Sequence, residues 1–243
     1  MRRDCTAMTP DRIAADLVLE LRGLRFGPPV THVYNPLEYA REPYRQYLRL
    51  YGRRPKEVVL VGMNPGPWGM AQTGVPFGEI SAVRDWMGIT GPVGQPENLH
   101  PKRPVAGFGC TRREVSGQRL WGWAQKNFGT AEVFFKRFFV GNYCPLMFIG
   151  NSGINLTPDK LKTVDARPLF AACDRALYRT IECLKPKHVV GIGQFAADRV
   201  RIALEGLALK VGGITHPSPA NPKANRGWES IMIHELKTLG IRL

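Results

Sequence analysis

Residues 57–78 read EVVLVGMNPGPWGMAQTGVPFG. Val58-Val59-Leu60-Val61 is a continuous apolar run, mostly β-branched, with no polar alternation. That pattern fits a strand buried on both faces, as in a parallel sheet. The strand breaks at Gly62, and residues 62–78 carry five glycines and three prolines. Neither helix nor strand runs easily through such a stretch, so it reads as a stiff loop whose backbone amides can approach a ligand. No Gly-Lys-Ser/Thr follows, so it is neither a nucleotide phosphate loop nor a dinucleotide fingerprint. A purely structural strand-to-helix turn is the other reading of the same glycines and prolines.

Working outward, three more strands are predicted: Phe138-Phe139-Val140 ending at Gly141-Asn142, residues 188–192, and residues 209–214. Helices are expected over 10–23, with Thr9 as cap and Pro10 in the first turn, and from Asn35-Pro36 to near Gly52. Further helices are expected over 116–128, 167–184, 194–207 and 228–239. Residues 89–112 read as a long surface excursion and 150–167 as a connection. Strands alternating with helices predict an α/β protein in three α/β/α layers around a central four-stranded parallel sheet. Residues 1–243 are expected to form a single domain, with a helical N-terminal extension over about 1–52. Ligands of such sheets sit at the carboxyl ends of the strands, which selects the loops 62–78, 141–146 and 215–227.

The 243 residues are 44% hydrophobic, enough for a sizeable core. Thirty-four Lys and Arg against 20 Asp and Glu give +14. This excess attracts polyanions, nucleic acid first and an anionic membrane surface second. A basic enzyme without a polymer partner is the plain alternative. No apolar run approaches the roughly 20 residues of a membrane span. The start, MRRDCTAMTPDRIAAD, has no signal-peptide core, so an intracellular protein is expected. Its compartment would be the cytoplasm or nucleoid of a bacterium, or the nucleus of a eukaryote. Cys5, Cys110, Cys144, Cys173 and Cys183 are scattered without a CxxC pair. They read as buried thiols, with no metal and no cofactor expected.

The loop 215–228 reads THPSPANPKANRGW. Three prolines in six residues make a rigid protrusion, and His216 sits just past a strand end. A lone histidine is more often structural. The stiff Pro217-Ser218-Pro219 flank favours a pre-set site, which avoids an ordering cost on binding.

GMNPGPWGMAQTGVPFGE at 62–79 and HPSPANPKANRGW at 216–228 are similar to the two signature loops of the single-strand-selective monofunctional uracil-DNA glycosylases, within the uracil-DNA glycosylase superfamily. GFGC at 107, EVSG at 114, FFVGNYCPL at 138 and NLTP at 155 also match, so the likeness runs from about 57 to 239. The resemblance implies the uracil-DNA glycosylase-like fold and excision of a flipped base from single- or double-stranded DNA in base excision repair. It implies that Asn64 positions the attacking water and His216 hydrogen-bonds the departing base. Asn142 would read the uracil edge, Phe77 would stack on the base, and Met63 and Gly66 would line the pocket. A small Gly66 leaves room at the base's 5-position, which adds 5-hydroxymethyluracil and other oxidised pyrimidines to the expected substrates. Pro217, Ser218, Pro219, Ala220 and Asn221 would form a wedge, with Lys223 and Arg226 on phosphates.

Two departures stand out. Ala220 replaces a basic wedge residue, which shifts the expectation towards single strands and mismatches, where flipping costs less. Trp68 stands where phenylalanine is usual. No lysine lies in the first loop, so no Schiff-base lyase is expected. A monomer is expected. The rival readings are a same-fold glycosylase for hypoxanthine, xanthine or mismatched thymine, a DNA-damage-binding module without catalysis, and a metal-dependent nucleotide phosphohydrolase.

Overall fold

The computed structural model describes residues 8–53 and 55–243; Cys5 and the start of the chain lie outside the described residues. In chain order the elements are α1 (Pro10–Arg22), β1 (Val30–Tyr34), α2 (Pro36–Tyr39), α3 (Arg41–Tyr51), β2 (Val58–Gly62), α4 (Met70–Thr73), α5 (Val115–Phe128), α6 (Ala131–Arg137), β3 (Phe138–Asn142), β4 (Met147–Gly150), β5 (Asn155–Leu156), α7 (Thr163–Leu184), β6 (His188–Ile192), α8 (Gln194–Ala203), β7 (Lys210–Ile214) and α9 (Trp228–Thr238).

The four expected strands form one parallel sheet in the order β3-β2-β6-β7. Every residue of β2 and β6 is buried, which explains their unbroken apolar runs. Helices pack around the sheet: α7 touches α1 and α8, α3 touches α1 and α6, and α5 touches α6 and α9. Register decides where the site falls. Gly62 pairs with Asn142 at the end of β2 and β3, and Ile192 pairs with Ile214 at the end of β6 and β7. The loops carrying Asn64, Asn142 and His216 therefore leave from one edge of the sheet.

A second, antiparallel sheet, β1-β4-β5, goes beyond the expected strands. Val30 pairs with Gly150 and Tyr34 with Met147, so this sheet ties the N-terminal segment to the region after β3. Residues 150–167 are thus more than a connection, because β5 pairs Leu156 with Phe148. The helix expected over 36–52 is two helices, split where Ala40 leaves helical geometry (φ −108°, ψ 34°). α6 is a further helix outside the expected set, and α7 starts earlier than expected and carries Pro168 within it.

The stretch 89–112 holds no α-helix or strand, only a 3-10 turn at Gly107–Gly109, yet it is pinned, not loose. Ile89, His100 and Val105 are buried. The Tyr34 hydroxyl accepts from the His100 amide and donates to the Arg103 carbonyl, both at 2.8 Å. Buried Gln72 donates to the Pro67 and Pro104 carbonyls at 2.8 and 3.0 Å and accepts from the Ala106 amide at 2.8 Å. One carboxamide thereby staples this stretch to the first loop. Cys144 and Cys173 are buried thiols, Cys110 is half-buried, and buried Cys183 faces the Met8 carbonyl at 3.2 Å.

Candidate active site

The first loop grows out of the sheet itself. The Tyr143 amide donates to the Gly62 carbonyl (2.8 Å) and the Cys144 amide to the Met63 carbonyl (2.9 Å), carrying the β2–β3 ladder past the strand ends. Asn64 is fixed by this extension. Its Nδ2 donates to the Leu146 carbonyl at 3.2 Å, which leaves Oδ1 available as an acceptor.

Gly62 sets the spacing of two more groups. A Cβ there would fall 2.4 Å from Asn142 Oδ1 and 2.7 Å from the Phe77 ring, so the asparagine and the ring close over a bare backbone. Phe77 itself adopts left-handed backbone geometry (φ 52°), costly for a residue with a side chain. Trp121 Nε1 and the Glu79 amide, at 2.9 and 2.7 Å from the Phe77 carbonyl, hold it there. Asn142 Nδ2 rests on the Met70 sulfur at 3.2 Å, a weak acceptor.

His216 faces this group from the third loop, its ring 6.1 Å from that of Phe77 and tilted by 39°. The Ser218 amide donates to His216 Nδ1 at 3.0 Å. Nδ1 is therefore an acceptor, and the ring proton belongs on Nε2. Burial pushes the imidazole down from 6.5 to about 4, so the ring is neutral at physiological pH. Gly193 (φ 88°) lies against the ring: a Cβ there would stand 3.2 Å from His216 Cβ.

The third loop is braced from several sides. Arg119 donates to the Pro217 carbonyl and to Asn225 Oδ1, both at 2.9 Å. Asn225 Nδ2 donates to the Pro219 carbonyl at 2.8 Å, and Asn221 Nδ2 to the His216 carbonyl at 3.1 Å. Glu235 of α9 accepts from the Thr215 amide and hydroxyl and from Lys223 Nζ, the last at 3.0 Å. Lys223 is thus paired within the protein, whereas Arg226 is exposed. Pro217 is buried and Ser218 half-buried, while Pro219 and Ala220 form the exposed tip.

Met63, Asn64, Gly66, Phe77, Asn142, His216 and Ser218 line one cleft of about 350 Å³. That is at the small end of the roughly 300–1,000 Å³ of ligand pockets. Glu114, Ser116, Asn155 and Thr157 also line it; they fall in the matching stretches EVSG and NLTP, to which the sequence attached no role. Glu114 is the acidic member. A Cβ on Gly66 would come within 2.6 Å of its Oε2, so the carboxyl fills the space beside that glycine. Burial raises its pKa, against the pull of the Ser116 amide and hydroxyl. No spacing pattern marks it, because it arrives from the start of α5. Among the described residues, no group of three His, Cys, Asp or Glu stands close enough to hold a metal ion.

The profile of the Uracil DNA glycosylase superfamily matches residues 50–237. A Bos taurus protein named single-strand selective monofunctional uracil DNA glycosylase is 50% identical over 224 residues, covering 91% of this chain and 82% of its own length. The chain belongs to the single-strand-selective monofunctional uracil-DNA glycosylases. A Mus musculus glycosylase of the same name is also 50% identical, over 91% of this chain and 80% of its own. The crystal structure of wild-type Pedobacter heparinus SMUG2 shares the glycosylase fold, with TM-score 0.64 at 16% identity over 93% of this chain and 97% of that one. In this glycosylase, then, both signature loops and the β3 tip meet in one cleft at the carboxyl edge of the parallel sheet. Among the described residues no helix is long and apolar enough to cross a membrane.

Proposed function

We propose that this chain hydrolyses the N-glycosidic bond of deoxyuridine in DNA and leaves an abasic site. The observation that carries the reading is the pairing of Asn64 with a neutral, Nε2-protonated His216 in a single cleft. A stacked base cannot reach such a cleft, so the nucleotide is flipped out or taken from a single strand. Phe77 stacks on the base. Asn142 reads its edge, giving its amide proton to O4 and taking the proton of N3; cytosine presents the opposite pattern at both atoms.

The Asn64 oxygen orients a water towards the sugar. An amide cannot accept that proton strongly, so the bond breaks largely before the water attacks, leaving a cationic sugar and an anionic base. The His216 Nε2–H meets the developing negative charge on the base. One such donor is typically worth roughly 3 kcal/mol in the transition state. Because the ring is neutral, Nε2–H donates to the leaving base while Nδ1 keeps its bond from the Ser218 amide.

Among the described residues no lysine lines the cleft, and Lys223 is occupied by Glu235. A Schiff base therefore has no amine, which supports monofunctional action. Beside Gly66 the wall is the polar carboxyl of Glu114, so a 5-hydroxymethyl group gains a hydrogen-bonding neighbour there and a bare 5-methyl does not. The small Ala220 at the loop tip favours single-stranded or mismatched substrates over intact duplex. Every group in the cleft comes from one chain, so a monomer suffices.

The test uses uracil-containing oligonucleotides, single- and double-stranded, incubated with the protein in EDTA and then treated with alkali. Scission only after alkali supports the reading. Scission without alkali indicates a lyase, and intact strands throughout leave a DNA-binding module. Asn64→Ala should reduce excision sharply while the oligonucleotide still binds.

A further inference from the structure

Two guanidinium groups press on one indole beside the cleft. Arg103 lies 5.4 Å and Arg112 5.1 Å from the centre of the Trp68 ring. Trp68 directly follows Pro67, a cleft-lining residue, and Arg112 stands two residues before cleft-lining Glu114. Neither arginine belongs to an ion pair among the described residues. Arg103 Nε is buried with no partner, and its Nη1 reaches only the Lys102 carbonyl, at 3.4 Å.

Like charges gathered this closely repel each other. The ring quadrupole offsets that in part for each cation. What the cluster still lacks is an anion. A guanidinium lying on a ring uses its flat face there and keeps its N–H groups free at the edges. That is the geometry in which arginine grips phosphate with two parallel hydrogen bonds.

On the third-loop side Arg226 is exposed, but the neighbouring cations are already engaged. Lys223 is held by Glu235, Lys126 by Glu229, and Arg119 is committed to the Pro217 carbonyl and Asn225. We propose that Arg103 and Arg112, pre-positioned on Trp68, form the docking site for the phosphodiester backbone flanking the excised nucleotide. The strand is then gripped mainly on the first-loop lip, with the third loop contributing shape and the exposed Arg226. This rests on the glycosylase reading above.

The experiment measures binding of a uracil-containing and an undamaged single-stranded oligonucleotide by fluorescence anisotropy across a salt series. Excision from the saturated complex is followed in parallel. The proteins are wild type, Arg103→Gln, Arg112→Gln, Arg112→Lys, the double glutamine variant, and Lys136→Gln as a charge control. Lys136 is exposed on α6, which leads into the far end of the sheet.

Each glutamine should weaken both oligonucleotides several-fold and lower the slope of log affinity against log salt by about 0.7 for each phosphate no longer held. Arg112→Lys should recover the slope but only part of the affinity, because an ammonium makes no fork. The effect should fall on Kd far more than on excision from the saturated complex, and Lys136→Gln should match wild type. The proposal is overturned if the double variant keeps the wild-type Kd and slope, or is weakened no more than Lys136→Gln. Wild type that binds but never excises would instead overturn the glycosylase reading, with the docking site judged separately by the slopes.

Discussion

The protonation state of His216 makes the sharpest prediction. Ser218 donates to Nδ1, and burial holds the ring near pKa 4 where an ordinary histidine titrates at 6.5. That fall disfavours the charged form by on the order of 3 kcal/mol. Near pH 5.5 an ordinary histidine would be about 10% neutral, whereas this one is about 97% neutral. Single-turnover excision from a uracil-containing single strand should therefore stay level from neutral pH down past 6. It should fall only as the pH approaches 4, when protonation of Nδ1 sets two N–H groups against each other and unseats the Ser218 amide. His216→Ala should cost about 10²–10³ in rate, the usual effect of removing one oxyanion donor. His216→Gln keeps an N–H donor and should recover part of it. Nitrogen NMR of the ring should show a proton on Nε2 alone at neutral pH. A rate inflection near 6.5, a doubly protonated ring at neutral pH, or an alanine variant within tenfold of wild type would each refute this account. Stability follows the same linkage: the folded pKa is depressed, so the contribution is complete above 6.5. It declines as pH falls through about 4, because the unfolded imidazole takes the proton first.

Other expectations follow from named contacts. Gly62→Ala would drive a methyl into Asn142 and Phe77; displacement of about 1 Å costs on the order of 10²-fold in rate, so excision should collapse while circular dichroism keeps the native spectrum. Asn142→Asp replaces the donor facing O4 with a carboxylate, so uracil excision should fall and cytosine excision rise, and an unchanged ratio between the two bases argues against the edge-reading role. Asp174→Ala removes the partner of Arg199 and of the Tyr143 hydroxyl (2.8 Å), leaving a half-buried cation unpaired. Chemical denaturation should show a drop in stability of about 3 kcal/mol.

The parallel sheet was legible because β2, β3 and β6 are written as apolar runs closed by glycine or asparagine, a purely local signal, with β7 following in the same alternation with helices. The antiparallel sheet was not. Val30–Tyr34 alternates weakly and finds its partner more than a hundred residues away, a pairing no local pattern records. α6 was hidden by its length, although Thr130, whose hydroxyl accepts from the Val133 amide, is an ordinary cap. In the cleft, seven residues named from the two loops and the β3 tip stand together, while their roles belong to the proposal. Glu114 stands in the matching EVSG stretch but carries no role there, because an isolated acid at the start of a helix looks like any solvated cap. Lys223 looks available for phosphate because its partner, Glu235, sits on a helix whose orientation towards the loop is a tertiary matter. The same limit hides the Trp68 cluster, whose arginines are distant in sequence.

The thioether beneath Asn142 has a further consequence. An amide left pointing at bulk solvent would have to shed tightly held water each time a base arrived, and one locked to a carboxylate would have to break a strong bond. Sulfur offers a parking place between these extremes: it orients the N–H while giving way cheaply to a carbonyl oxygen. In the proposed edge-reading role, Asn142 would then begin from an aligned but loosely engaged state. The identity of residue 70, which need never touch the base, thereby helps set how readily the cleft accepts one.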